Sequence, residues 1–182
     1  MSTLKKIYSF LFQDIQGGIL IELLRYRFFL SFPYVKIDIG VEIWDKKNKK
    51  IWRWTRIRKW AVIQDWILYI GENSNIWPYS IIFPWHKTII GDNVLIGPGV
   101  WIFWWSHNFK SKKIKIALQW DSSQWIIIQD DVRIWNWAII LDWVNIKKGS
   151  VIGAWSVVTK NTIEYWVYVW NPAKLIYFRE DT

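Results

Sequence analysis

The chain contains no cysteine, two histidines, one methionine and nine glycines in 182 residues. Without cysteine there are no disulfides, no thiolate metal sites and no cysteine nucleophile, which suits a reducing cytosol. Two histidines fall short of a three-histidine zinc site, and no metal is expected. Long hydrophobic runs are missing as well. The apolar N-terminal stretch is interrupted by Asp14, Glu22, Arg25 and Arg27, so it offers neither a secretory signal nor the roughly 20 apolar residues that span a bilayer. These absences predict a cytoplasmic protein, soluble or held peripherally at the inner face of the membrane by its N-terminal segment.

A chain of this length can build one domain with its own core. Its formal net charge is +9, and Lys46, Lys47, Lys49, Lys50, Arg53, Arg56, Arg58 and Lys59 lie close together. Such a run is either a solvated face or a contact for an anionic partner, such as the acidic surface of a carrier protein. A nucleic-acid partner is not expected.

Residues 4–32 read as helix, divided at Gly17 and Gly18 and stopped by Pro33. The expected N-terminal helical segment is 1–36. Beyond it the period changes. Aliphatic residues recur every six positions at Ile51, Ile57 and Ile63, at Ile70, Ile76 and Ile82, and at Ile90, Ile96 and Ile102. A longer series follows at Ile128, Ile134, Ile140, Ile146, Ile152 and Val158. Four residues after most of them stands a small or β-branched residue, for example Thr55, Ala61, Ser74, Ser80, Val94, Ala138 and Ser150. Helices need spacings of three and four, and hairpins need alternation. Short strands that turn a corner every six residues satisfy the pattern, which predicts an all-β solenoid over 37–165. The polar stretch 103–125 carries no repeat and reads as an ejected loop, a length that in compact proteins usually serves function. Residues 166–182 are left as a C-terminal tail.

Glycine is scarce where such a fold needs it, and tryptophan, with eighteen copies, is abundant. Trp54, Trp60, Trp66, Trp85, Trp137, Trp143 and Trp155 share a repeat column with Asn73, Asn93, Gly99, Asp131, Gly149 and Asn161. Glycine, asparagine and aspartate tolerate positive φ, so the column reads as a left-handed turn position. Trp44, Trp52, Trp77 and Trp135 share a second column with Gly71, Gly91, Gly97 and Gly153. A bulky residue in a left-handed turn costs about 1–2 kcal/mol each. The reading that removes this cost is that the tryptophans are glycine in the living protein, their UGA codons having been translated under the wrong code. The nine glycines present and the eighteen restored would make 27. An aromatic surface for stacking on sugars or bases is the alternative, but it has no reason to select glycine's columns.

With the tryptophans read as glycine, the strings RIWNWAIIL, KKGSVIGAWSVVTKN and VWNPAKLI resemble the C-terminal half of hexapeptide-repeat acyltransferases, the group of maltose, galactoside and polysaccharide O-acetyltransferases. The resemblance spans roughly residues 37–177. It implies a left-handed parallel β-helix, a homotrimer with active sites between neighbouring subunits, acetyl-CoA as acyl donor and a sugar or polysaccharide hydroxyl as acceptor. The HNF string at His107, Asn108 and Phe109 is similar to the family's loop motif, which makes His107 the general base. An imidazole with a pKa near 6.5 suits that role. By the same resemblance, Asn136 and Ala154 line the pantetheine channel of coenzyme A, Thr159 and Lys160 lie near its phosphates, and Lys174 also meets the coenzyme.

The chain departs from the family at Gln129, where the repeat usually has glycine, and at Arg133, which replaces an aromatic. The acid that orients His107 stays open among Asp121, Asp130 and Asp131. His86 stands in a small-residue column and reads as packed. A non-enzymatic solenoid scaffold, another acyl donor and an amine acceptor remain as alternatives.

Overall fold

The computed structural model describes residues 34–180, apart from 44–47, 65–66, 84–86, 104–105, 120 and 123–124. The helical segment expected over 1–36 lies outside the described residues as far as Pro33. Its last three residues belong to the solenoid instead, with Tyr34 in a left-handed turn and Lys36 opening the first strand. Trp44, Trp66, Trp85 and His86 also fall outside the described residues.

The structure is a left-handed parallel β-helix of three sheets, A, B and C, visited in turn by each coil. The first coil contributes β1 (Lys36–Ile37), β2 (Glu42–Ile43) and β3 (Lys49–Ile51). The second gives β4 (Arg56–Ile57), β5 (Val62–Ile63) and β6 (Ile67–Ile70), and the third β7 (Asn75–Ile76), β8 (Ile81–Phe83) and β9 (Lys87–Ile90). The fourth runs β10 (Leu95–Ile96) and β11 (Trp101–Phe103). It then leaves the solenoid for β12 (Ser106–His107) and β13 (Asp121–Ser122), and resumes at β14 (Ile126–Ile128). The fifth is β15 (Arg133–Ile134), β16 (Ile139–Ile140) and β17 (Asn145–Ile146), and the sixth β18 (Val151–Ile152) and β19 (Val157–Val158).

The register shows why a six-residue period produces this form. Ile96 pairs with Ile76 and Ile134, and Ile140 with Ile102 and Val158, so each aliphatic stacks on its counterpart one rung away. Rungs stack about 4.8 Å apart, and the isoleucines at 57, 63, 70, 76, 82, 96, 102, 128, 134, 140, 146 and 152 are fully buried in one column-built core. Each contributes about 1.5–3 kcal/mol. The small column is buried with them, because a side chain pointing into a corner has little room. Three of its hydroxyls bridge coils: Thr55 donates to the Gly71 carbonyl at 2.6 Å, Ser74 to Gly91 at 2.8 Å and Ser80 to Gly97 at 2.9 Å. This satisfies polar groups that would otherwise be costly to bury.

The corners carry the left-handed residues. Trp54, Trp60, Trp137, Trp143 and Trp155 all have φ between 60° and 69°, alongside Asn73, Asn93, Asp131, Gly99 and Gly149. The turn column expected from the sequence is therefore a left-handed position wherever its tryptophans are described. Tyr79, three residues after Ile76, takes the same conformation in that column, and Tyr34, Tyr165 and Trp170 add three positions outside the columns read from the sequence. The rings lie outside the core: Trp137 and Trp155 stack with centroids 5.6 Å apart, and Trp155 is 70% exposed. A Cβ at Gly99 would collide with the Trp137 ring. The second glycine column is confined differently. At Gly97 a Cβ would meet the Asn136 backbone nitrogen and the Ile134 carbonyl at 2.9 Å.

The C-terminal tail expected over 166–182 adds to the solenoid rather than leaving it. β20 (Trp166–Val169) continues sheet A beside β18, and β21 (Lys174–Phe178) folds back antiparallel on β20. Its residues lack the six-residue period because the chain skips sheet C before re-entering sheet A.

Two measurements follow from these columns. Ile134→Ala lowers the unfolding free energy by about 2–5 kcal/mol in denaturant titration. Trp137→Gly raises it by about 1 kcal/mol, and Gly99→Ala lowers it by more than that. If the tryptophans are glycine in the living cell, the intact mass of protein from its source falls accordingly, and peptides holding tryptophan at 137 and 155 would end that reading.

Candidate functional site

The fourth coil is interrupted at one corner. The chain leaves after β11, whose Phe103 still pairs with Phe83, and returns at β14, which is in register with β9 from Ile126 opposite Thr88. The excursion thus departs from the B–C corner without disturbing either sheet. Inside it, β12 and β13 form an antiparallel pair with Ser106 opposite Ser122 and His107 opposite Asp121. The tip is held by Gln119. Its Nε2 donates to the carbonyls of Ser111 at 3.0 Å and Ile114 at 2.9 Å, and its Oε1 accepts from the Ser111 amide at 3.2 Å. A short 3-10 turn, Ile116–Leu118, precedes this clamp.

The residues expected to bind the coenzyme surround sheet B. Asn136 turns the A–B corner after β15, and Ala154 turns the same corner one rung on, where the Trp155 amide donates to the Asn136 carbonyl at 3.1 Å. Thr159 and Lys160 follow β19 and are exposed. Lys174 is the first residue of β21, and its turn is tied to β19 by the Ala173 amide, which donates to the Val157 carbonyl at 2.8 Å. Thr159 and Lys160 therefore turn the B–C corner after β19, while Asn136, Ala154 and Lys174, which pairs with Val169 at the end of β20, lie on the A–B side. His107 rises from the corner that Thr159 and Lys160 share. From Ile102 through Ile140 to Val158 is two rungs, a separation on the order of 10 Å.

Asp142 is an acidic residue that the sequence pattern does not single out. It turns the B–C corner after β16, on the rung between the loop's departure and the turn holding Lys160. Burial raises its carboxyl pKa, partly opposed by a hydrogen bond involving Trp143. Of the open acids, Asp130 accepts the Asp92 amide at 2.9 Å and Asp131 pairs with Arg179 at 3.0 Å, both at the C–A corner.

The departures have physical accounts. Gln129 stands where a glycine would, and its Oε1 accepts the Lys148 amide of the next coil at 3.0 Å. Arg133 lies against two rings, 4.3 Å from the Trp135 centroid and 5.9 Å from that of Trp77. Burial lowers its pKa. The described members of the basic run 46–59 are partly engaged within the protein. Lys49 is buried, Lys50 lies over Tyr69, Arg53 pairs with Glu72 at 3.0 Å and Arg58 with Asp38 at 3.8 Å.

Among the described residues no group of three or more histidine, cysteine or carboxylate side chains could hold a metal, and no helix is long and apolar enough to cross a membrane. Fold and repeat define a hexapeptide-repeat left-handed β-helix. No family model matches the chain. A Saccharomyces cerevisiae protein provisionally named an acetyltransferase is 36% identical over 109 residues, covering 60% of this chain and 55% of its own length. A Schizosaccharomyces pombe protein with the same provisional name is 39% identical over 87 residues, covering 48% and 41%. The chain thus spans about half the length of the curated relatives it matches. Among solved structures, a variant of AntD, an N-acyltransferase of Bacillus cereus with dTDP-4-amino-4,6-dideoxyglucose and coenzyme A, superposes with a TM-score of 0.77 at 20% identity. The match covers 87% of this chain and 90% of that one. A hexapeptide-repeat acetyltransferase of Vibrio cholerae complexed with acetyl-CoA gives 0.63 at 22% identity, covering 88% and 79%.

The Gln119 clamp predicts that Gln119→Ala speeds amide exchange at Ser111 and through the loop tip while the solenoid amides stay protected. Equal protection in both proteins would show that the clamp does not order the loop.

Proposed function

We propose that the chain is an acyltransferase that moves an acetyl group from acetyl-CoA to a hydroxyl of a sugar or polysaccharide. The observation that supports this reading is the interrupted coil: the excursion that carries His107 leaves from the corner that the exposed Thr159 and Lys160 turn two rungs on. The acetyltransferase names of the yeast relatives and the coenzyme-bound neighbours support it. A purely structural solenoid has little need of such an excursion.

The residues fit the donor. Lys160 and Lys174 are mobile point charges suited to phosphate, and the outward face of sheet B, carrying Trp101, Ile139 and Val157, is apolar enough for a pantetheine arm. In the reaction, His107 takes the proton from the acceptor hydroxyl as its oxygen attacks the thioester carbonyl carbon. The new C–O bond forms, the oxyanion rests on backbone amides, and the C–S bond breaks. The proton passes from imidazolium to the departing thiolate, leaving an acetyl ester and coenzyme A. The acting species is a homotrimer with sites between neighbouring subunits, working in the cytoplasm, with the N-terminal segment as its contact to the membrane surface.

An amine acceptor is the second reading, favoured by the likeness to an N-acyltransferase. An amine attacks with less help from a base, so the two readings part at His107. His107→Ala lowers kcat about 10²- to 10⁴-fold on a hydroxyl acceptor and much less on an amine. Lys160→Ala and Lys174→Ala raise the KM for acetyl-CoA roughly tenfold with kcat kept, as expected for a lost bond to a charged group. Full activity in His107→Ala refutes the base, and absence of coenzyme binding by the unaltered chain favours a scaffold.

A further inference from the structure

We infer that the tip of the excursion, residues 109–118, is a docking surface for an anionic lipid bilayer: its apolar side chains enter the headgroup boundary and its lysines meet the lipid phosphates. This contact is additional to the N-terminal segment and does not depend on the acyl-transfer reading. Phe109, Ile114, Ile116 and Leu118 are all exposed. Among the described residues Leu118, at 71%, is the most exposed large apolar side chain, and Phe109 is 69% exposed. Lys110, Lys112, Lys113 and Lys115 are interleaved with them, and no aspartate or glutamate occurs from 106 to 120. All four lysines are exposed, and among the described residues none of them pairs with a carboxylate.

An anionic bilayer satisfies both halves of this surface. Its negative potential attracts the lysines, and its headgroup boundary takes up apolar side chains. Lysine suits such a boundary because its stem lies along apolar surface while the ammonium reaches the phosphates. The backbone is prepared as well. Where water is scarce each unpaired amide or carbonyl is costly, and the tip pairs its own. The Gln119 side chain takes the Ser111 and Ile114 carbonyls and the Ser111 amide. The Leu118 amide donates to the Lys115 carbonyl at 2.9 Å and the Gln119 amide to that of Ile116 at 3.0 Å. Nucleic acid fits the charge but not the aliphatic residues, since bases stack on aromatic rings and Phe109 is the one ring of the tip. A free phosphate gives the aliphatic residues no role. None of these residues is tryptophan, so the surface is the same whichever way the tryptophan codons are read.

The chain lacks cysteine, so one introduced thiol carries a label at a single place. Leu118→Cys labelled with bimane, in the full chain, is mixed with vesicles of phosphatidylcholine containing phosphatidylglycerol. Its emission moves to shorter wavelength and brominated acyl chains quench it. Vesicles of phosphatidylcholine alone leave it unchanged, and added salt reverses the shift. The same label at Lys148→Cys, exposed at the C–A corner, stays unshifted. In sedimentation with the anionic vesicles, Lys112→Gln, Lys113→Gln and Lys115→Gln combined weaken binding about 10²-fold, roughly fivefold for each charge removed. Ile116→Ser with Leu118→Ser weakens it about tenfold. A Leu118 probe that stays unshifted on anionic vesicles overturns the inference, and so does full binding by the triple variant. A shift that appears without vesicles and grows with protein concentration also overturns it, because the tip then seats on another copy of the chain. Should Leu118→Cys fail to fold, Ile116→Cys carries the label and is read the same way. Binding is measured without turnover, so its failure leaves the proposed reaction standing, and loss of acyl transfer leaves the docking surface standing.

Discussion

A strand of two or three residues cannot form a stable sheet alone, and everything in this molecule depends on how such strands are brought back over one another. The return is made at corners where the backbone takes a positive φ, and it is held by hydrogen bonds from each coil to the next. The Trp54 amide reaches the Tyr34 carbonyl, the Asn93 amide that of Glu72, and the Trp137 amide that of Pro98. Side chains reinforce the ladder where the corner is polar, as when Asp92 accepts the Glu72 amide at 2.7 Å. If the corner angle is lost, the isoleucines no longer stack and the hydroxyl bridges have no partners.

That dependence explains why tryptophan in the turn column is unexpected. The ring does not enter the core, since Trp54, Trp137 and Trp155 are exposed, so the cost lies in the backbone, where a Cβ crowds its own carbonyl. Stacking between successive rungs, as at Trp137 and Trp155, recovers part of it. Glycine at the same positions would carry no such conflict.

The solenoid was legible from residue identities because its period is written in them: both inward columns can be read from Ile51 to Val158, and the corner column from its asparagines and glycines. Tyr165 escaped because it lies beyond the last regular repeat and tyrosine by itself gives no hint of a left-handed turn. β20 and β21 escaped because the chain re-enters sheet A without the period. The site was legible only in part. His107 stood out by its loop and by resemblance, and the lysines by resemblance alone. The place of Asp142 one rung from the excursion was hidden because it is set by rung number, which a local pattern does not record.

Because each coil advances by a single rung, the molecule also behaves as a ruler. The corner that launches the excursion and the corner that bears Lys160 are separated by two graduations, a distance fixed by the count of coils and indifferent to which side chains face outward along the way. Lengthening the solenoid at its N-terminal end would leave that interval untouched, whereas one extra coil between β14 and β18 would stretch it by about 4.8 Å. Selection on such a scaffold can alter its length freely at one end and hardly at all at the other.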